Sequence, residues 1–237
     1  MSDRFFCSTP IAGDAVTLDG PEAHHLLHVM RAKVGQGVTL FDGGGAEFAA
    51  EIAKCGRAEV ELRVVARREI DRELPFELVV GVSLPKGDRQ KWLVEKLTEL
   101  GVTELVPLET ERGVAQPTDS ALERLRRSVV EGAKQCGRNR LLRLATPQAV
   151  GEWVLEGSAS EKRRWIAHPE GVALASTDVA KSTGTWIAVG PEGGFTEAEV
   201  AAARAAGWQS VALGPRILRV ETAAVALAAV VALSARS

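Results

Sequence analysis

The chain is poor in cysteine, and its few cysteines are far apart. Cys7, Cys55 and Cys136 are odd in number and widely spaced. They match neither a Cys-x-x-Cys metal motif nor the paired framework of a disulfide-rich secreted domain. We therefore expect reduced thiols.

Long apolar runs are also missing. A helix needs roughly 20 consecutive apolar residues to cross a bilayer, and the most apolar segment, residues 223–233, is shorter and rich in alanine. That segment predicts a buried helix. The first ten residues lack the basic region and apolar core of a secretory signal. We expect a cytoplasmic protein with no membrane partner.

Common fingerprints of nucleotide and metal binding are absent too. The glycine-rich segment 190–194 matches neither G-x-G-x-x-G nor G-x-x-x-x-G-K-[ST]. A nucleotide-dependent enzyme that uses this loop remains as a minor alternative. His24 and His28 are one helical turn apart, but His25 stands where a zinc-protease motif has glutamate. We expect no metal.

Composition is that of an ordinary globular protein. Of 237 residues, 46% are hydrophobic and 25% are charged, and the net charge of −2 argues weakly against a nucleic-acid partner. Residues 124–143, however, contain seven basic side chains against one acidic side chain. Such a segment can neutralise several phosphates, although a solvated helix face explains it equally well.

The pattern of the chain predicts two domains. Residues 1–70 read as short strands and turns, which indicates a small β-rich domain. Residues 67–75 are charged and end in proline, so we expect a linker there. From residue 74 to 237 strands alternate with helices, which predicts an α/β domain with a mainly parallel sheet.

Three unusual loops follow predicted strands of that sheet. They begin at His168, Gly190 and Gly214. Ligands of parallel sheets bind where the carboxyl ends of strands meet loops. Three glycines within residues 190–194 permit close approach of the backbone to a ligand, although an ordinary tight turn is the alternative.

The apolar C-terminal segment carries unexpected charges. Arg216, Arg219 and Glu221 lie there, and burying a charge without a partner is costly. A structural ion pair and a reaction centre both explain them, and the residues alone do not decide between the two.

Several segments together resemble one family, the bacterial 16S ribosomal RNA uracil-N3 methyltransferases of the SPOUT class. The matching segments are KGD at 86–88, ELGV at 99–102, ER at 111–112, QCGRNR at 135–140, HP at 168–169, VGPEGG at 189–194 and LGPRILRVET at 213–222. The last two at this spacing are specific. Two departures are Val220, where the family often has threonine, and Lys134, where an acidic residue is common.

The resemblance implies a fold, a reaction and partners. It implies a PUA-like RNA-binding domain followed by a SPOUT domain with a trefoil knot, and a homodimer whose active sites are completed across the interface. It implies S-adenosylmethionine as cofactor and uracil N3 of 16S ribosomal RNA, free or in the small-subunit particle, as substrate. A non-catalytic assembly factor with the same fold is the alternative.

The resemblance also implies site residues. Arg219 is expected to stabilise charge on the uracil, Arg138 of the partner subunit to assist it, Asn139 to orient the base, and Glu221 to hold Arg219. The expected cofactor-binding residues are His168, Val189, Gly190, Glu192, Gly193, Gly194, Leu213, Gly214, Ile217 and Leu218.

Overall fold

The computed structural model describes residues 3–114, 117–156, 162–174 and 183–234. The chain divides into two compact units. The first contains Met1–Glu73 together with Ala133–Leu141, and the second contains Leu74–Gly132 and Leu142–Ser237. The first unit is therefore built from two separate stretches of sequence.

The first unit is a β-sheet with one short helix. Its strands are β1 (Arg4–Phe6), β2 (Ala15–Leu18), β3 (Gly37–Phe41), β4 (Ala46–Cys55) and β5 (Val60–Glu69). Their order in the sheet is β1-β3-β4-β5-β2, in which β1 and β3 are parallel and the other pairs are antiparallel. Helix α1 (Gly20–His24) continues into one π-helical turn, His25–Val29.

Two glycines and an aspartate shape the turn between β3 and β4. Gly43 and Gly45 have φ values of 84° and 106°, which glycine adopts without a Cβ penalty. The Asp42 carboxylate accepts a hydrogen bond of 2.9 Å from the N–H of Gly44. Strand β5 continues to Glu69, so residues 67–69 of the expected linker belong to a strand.

The second unit is an α/β domain, as predicted. Its strands are β6 (Glu77–Val82), β7 (Glu104–Glu109), β8 (Arg143–Leu144), β9 (Gln148–Ala149), β10 (Arg163–Ala173), β11 (Gly184–Val189) and β12 (Gln209–Ala212). The described sheet is parallel throughout, in the order β12-β10-β11-β6-β7-β8, with β9 pairing with β7. The helices are α2 (Arg89–Glu99), α3 (Asp119–Cys136), α4 (Val150–Trp153), α5 (Glu197–Ala205) and α6 (Val220–Ser234), and the end of α3 from Ala133 onward belongs to the first unit.

Tryptophan rings fill part of the core of the second unit. Trp153 is fully buried, with ring centroids 5.3 Å from Trp186 and 5.1 Å from Trp208. Gly81 in β6 packs closely against this ring. A Cβ at that position would be 2.6 Å from the Trp153 ring. A side chain at Gly81 would displace the ring.

Helix α6 contains the segment that was predicted as a buried helix. Ala224, Leu227 and Ala228 are fully buried along it. Across the described ranges, we find no helix with both the length and the apolar character needed to span a membrane.

Candidate functional site

Three loops at the carboxyl edge of the parallel sheet enclose a cleft of about 380 Å³. This volume lies within the range of ~300 to 1,000 Å³ that is usual for small-ligand sites. The lining residues are 167–169, 189–194, 211, 213–218, 220 and 223. All ten residues expected to bind the cofactor are among them, so the structure brings them to one place. Their binding role remains a prediction.

The first loop is a bulge in β10. Its pairing with β12 shifts register between Ala167 and Val172, so residues 168–171 leave the ladder. Gly171 permits this close crossing, because a Cβ there would be 2.5 Å from the nitrogen of Val211. His168 Nδ1 accepts a hydrogen bond of 3.2 Å from the N–H of Glu170. The imidazole proton is therefore on Nε2, which remains a donor.

The second loop joins β11 to α5. A Cβ on Gly190 would be 3.0 Å from the Phe195 ring, and Gly194 has a φ of 70°. Thr196 then caps α5 in a capping box with Glu199. Because the loop is rich in glycine, its main-chain groups are open to a ligand.

Two arginines from neighbouring strand ends hold this loop. Arg112 Nη1 donates to the carbonyl of Gly193 at 2.9 Å. Arg89 Nη2 donates to Glu192 at 3.2 Å, and Arg89 Nη1 lies 3.6 Å from Glu221 Oε2. Sequence reasoning did not assign either arginine to the site. The signal for both was available, since each follows a strand that ends at the ligand edge.

The third loop follows β12. Gly214 has a φ of 94°, and Ile217 is 93% exposed although it is apolar. Arg216 and Arg219 are also exposed.

Arg219 and Glu221, the two predicted catalytic residues of this unit, are sequence neighbours of residues that line the cleft. Arg219 stands between Leu218 and Val220, which line the cleft, but neither Arg219 nor Glu221 is itself a lining residue. Glu221 is 7% exposed, and its Oε2 accepts no hydrogen bond from the described residues.

The expected pairing of Glu221 with Arg219 is not observed. Among the ion pairs of the described residues, the cation beside Glu221 is Arg89. A buried carboxylate needs a nearby positive charge, and the first residue of α2 supplies it. In residues 3–114, 117–156, 162–174 and 183–234, no hydrogen bond or ion pair engages the Arg219 side chain.

Arg138 and Asn139 belong to the first unit of their own chain. Arg138 is 4% exposed and its Nε and Nη2 donate to Glu73. Asn139 is 2% exposed, accepts a 2.7 Å hydrogen bond from Arg4, and donates to the carbonyl of Ile70 at 3.0 Å. Neither lines the cleft.

The polar network around these residues is ionic. Arg4 and Arg72 donate to Glu47 at 2.9 and 3.3 Å. Burial raises the pKa of Glu47, but hydrogen bonds from Arg4 and Arg72 outweigh it and hold the pKa below its ordinary value. Glu47 is therefore charged at neutral pH.

The basic segment 124–143 does not form one continuous phosphate-binding patch. Arg124, Arg126 and Arg127 are exposed on α3. Lys134 and Arg138 are buried and carry ion pairs, to Glu22 and Glu73 respectively. Burial of these two cations reflects their partners in the first unit, which the sequence pattern could not reveal.

Lys134 departs from the family's common residue and has its own acidic partner. Its Nζ lies 2.9 Å from Glu22 and 5.6 Å from the centroid of the Phe5 ring.

The three histidines near α1 form no metal site within the described residues, where no group of three or more suitable ligands occurs. His24 and His28 pack against each other instead, with ring centroids 4.8 Å apart.

Comparison with known proteins identifies similar chains over almost the full length. A family model described as an RNA methyltransferase domain matches residues 72–232, and one described as an RNA methyltransferase PUA domain matches residues 18–65.

Individual relatives agree with these family models. The ribosomal RNA small subunit methyltransferase E of Synechocystis sp. is 36% identical over 92% of this chain and 73% of its own, and that of Bacillus subtilis is 31% identical over 87% and 85%. The crystal structure of a ribosomal RNA small subunit methyltransferase E from Neisseria gonorrhoeae, bound to S-adenosyl methionine, is 31% identical. It has a TM-score of 0.88 and covers 97% of this chain and 96% of its own.

Proposed function

Because the chain belongs to the RNA methyltransferase family, we propose that it transfers a methyl group from S-adenosylmethionine to uracil N3 of 16S ribosomal RNA. The observation that carries this proposal is the cleft at the carboxyl edge of the sheet, which is lined by all ten expected residues. Its relatives act on small-subunit ribosomal RNA by name, and the reaction belongs in the cytoplasm, where that RNA is found.

The cleft has the chemistry that S-adenosylmethionine requires. Val189, Leu213 and Leu218 offer apolar walls for an adenine ring, while the glycines leave main-chain donors and acceptors within reach. His168 Nε2 is a further donor for a polar group of the ligand. When bound, the cofactor supplies an electrophilic methyl group.

The substrate sets the remaining demands. Uracil N3 carries a proton at neutral pH and lies on the pairing edge, so the base must be unpaired and turned into the site. Holding N3 in line with the methyl group then contributes up to ~7 to 11 kcal/mol through positioning alone. Negative charge develops on the ring as the N3 proton passes to solvent water.

Arg219 is proposed to stabilise that charge. Its side chain is exposed and unengaged by the described residues, so its planar set of donors is available to a uracil oxygen. Glu221 does not remove the proton in this proposal. It fixes Arg89, which in turn holds Glu192 in the glycine loop.

Labelled S-adenosylmethionine and undermethylated small-subunit RNA or particles test the activity directly. Mass mapping of the labelled nucleotide identifies the methylated atom, and no transfer would favour a non-catalytic assembly factor.

Arg219→Lys keeps the charge but loses the planar arrangement of donors, so we expect the methylation rate at saturating cofactor to fall by a factor of about 10². An unchanged rate with collapsed cofactor binding would assign Arg219 to the cofactor site.

We further propose a SPOUT trefoil knot in the second unit and a homodimer in which Arg138 and Asn139 of one copy serve the cleft of the other. In this proposal the two domains are residues 1–70 and 74–237, as the sequence predicts. The exception is Ala133–Leu141, which packs in the first unit. For Arg138 to act across the interface, it must exchange its bonds to Glu73 for bonds to the substrate.

Mixed dimers test the shared site. Arg219→Lys and Arg138→Gln are each expected to be weakly active alone. In a co-expressed mixed dimer, one of the two sites contains both native arginines, so activity should recover to about half of the native value. Absence of recovery would confine Arg138 to the buried network of its own chain.

A further inference from the structure

A second cavity lies wholly within the first unit. It encloses about 160 Å³ and is lined by Gly45, by residues 69–73, and by Asn139 and Arg140. Unlike the cleft, its walls are mostly polar, and none of its residues belongs to the proposed cofactor site. We call it the Arg140 pocket.

Arg140 lies flat against the backbone of Gly45. Its Nη2, Cζ and Nε atoms are 3.0, 3.2 and 3.2 Å from the position that a Cβ would take on Gly45. Three atoms of one planar group that are almost equally distant from a single point must present their face to it. Gly45 also has a φ of 106°, so both the backbone and the space favour glycine here.

Asn139, the residue before Arg140, is anchored by its backbone and by its side chain. The N–H of Gly45 donates to the carbonyl of Asn139 at 3.3 Å, and the buried Asn139 side chain is bonded to Arg4 and Ile70. These bonds anchor the backbone beside Arg140, and the contact of the guanidinium with Gly45 restricts the side chain, which lowers the entropic cost of binding.

The carboxylates of the pocket are already engaged, whereas Arg140 is not. Glu73 accepts from Arg138, Asp71 accepts from the N–H of Glu73 at 2.9 Å, and Glu69 pairs with Arg67 at 2.6 Å. Within the described ranges no hydrogen bond or ion pair engages Arg140, and the residue is exposed. One face of its guanidinium is thus covered by Gly45, and its donors remain open.

A planar cation held in this way suits an unstacked nucleobase. Bases of single-stranded RNA stack on arginine planes, and the donors at the rim reach base carbonyls or phosphates. A duplex keeps its bases stacked on each other and offers no such face. Three carboxylates line the same pocket, so an acidic peptide is disfavoured, and the uncharged base rather than a phosphate is the part of the nucleotide that enters it.

We propose that the Arg140 pocket binds one nucleotide of single-stranded RNA, with its base stacked on Arg140; this rests on the proposed function, in which RNA is the substrate. The pocket then anchors the RNA strand on the first unit.

Binding of a labelled oligouridylate of roughly ten nucleotides, inside the ~4 to 16 that one binding fold covers, tests the proposal. Arg140→Gln should weaken binding roughly tenfold, the scale of one lost base–side-chain stack. Arg140→Lys retains the charge but not the plane, and should lose most of the same affinity. Arg63→Gln is the matched control, because Arg63 is an exposed arginine of the same unit that pairs with Glu51 away from the pocket.

The outcomes distinguish failure of the Arg140 pocket proposal from failure of the proposed methyltransferase function. A tenfold loss for Arg140→Gln, less than twofold for Arg63→Gln, and unchanged S-adenosylmethionine binding support the pocket. Equal losses for both variants, no loss for either, or full rescue by lysine overturn the stacking site while leaving RNA methylation intact. Failure of the native protein both to bind RNA and to methylate it overturns the proposed function, and the pocket with it.

Discussion

Replacing Arg89 by glutamine should destabilise the second unit through Glu221. The Glu221 side chain is only 9% exposed, and Arg89 lies 3.6 Å away. At an effective dielectric constant of about 20, unit charges at that distance attract by about 4 to 5 kcal/mol. Because Arg89 is 37% exposed and also pairs with Glu192, solvent screening reduces its attraction to Glu221. We expect Arg89→Gln to cost about 2 kcal/mol, because a buried carboxylate loses its cation.

Tryptophan fluorescence during urea unfolding measures the free energy of unfolding of the second unit. All five tryptophans, at positions 92, 153, 165, 186 and 208, lie in the second unit, so the signal reports that unit alone. Lys91→Gln on the same helix is the control. Its partner Glu95 is one turn away and Lys91 is exposed, so its loss should stay below about 0.5 kcal/mol.

The double variant Arg89→Gln, Glu221→Gln decides the cause. If the uncompensated charge is responsible, removing it should restore more than half of the lost free energy, since the two changes are coupled. A double variant no more stable than Arg89→Gln alone would refute the electrostatic explanation. It would assign the effect to lost packing of the arginine stem instead.

Four further outcomes follow from Gly193, Gly81 and Cys7. Gly193→Val should weaken S-adenosylmethionine binding by calorimetry and leave circular dichroism unchanged, because its Cβ meets only Arg112, at 3.5 Å; retained affinity would move the cofactor elsewhere. Gly81→Val should destabilise the second unit by about 1 to 3 kcal/mol in the fluorescence assay, because its Cβ would overlap the Trp153 ring. Burial, then the charges of Asp42 and Glu22, raise the pKa of Cys7 to about 12, so a maleimide at pH 8 should label the exposed Cys55 and spare Cys7. The folded state keeps a proton that an unfolded thiol releases above about pH 8.5, so urea stability followed by circular dichroism should fall as pH rises beyond that value.

The features visible from sequence were those with a local signature. The alternation of strands and helices from residue 74 indicated the parallel sheet, and glycine marked the loops of the cleft. Since the carboxyl ends of parallel strands share one edge, placing these loops together needed no knowledge of side-chain positions.

The features that sequence missed depend on partners far away along the chain. Nothing around Arg89 shows that Glu221 is its partner, and nothing in α3 shows that Lys134 meets Glu22. Arg138 and Arg140 are near neighbours of the same charge, yet one is buried in an ion pair and the other is exposed. Periodicity assigns a residue to a helix face or a turn, but a long-range ion pair leaves no periodic pattern.

The division of the first unit into two stretches has a consequence for the newborn protein. When Glu73 has been added, this unit still lacks Ala133–Leu141, whose Asn139 bonds to Arg4 and whose Lys134 pairs with Glu22. At ~5 to 20 residues per second, the chain elongates for roughly 3 to 14 s more before that segment exists. During this interval all five strands of the sheet have been synthesised and Arg4 already has Glu47 as a partner, but the bonds of Arg4 to Asn139 and of Glu22 to Lys134 cannot yet form. The N-terminal unit of this chain therefore matures late, after much of the unit that follows it has been synthesised.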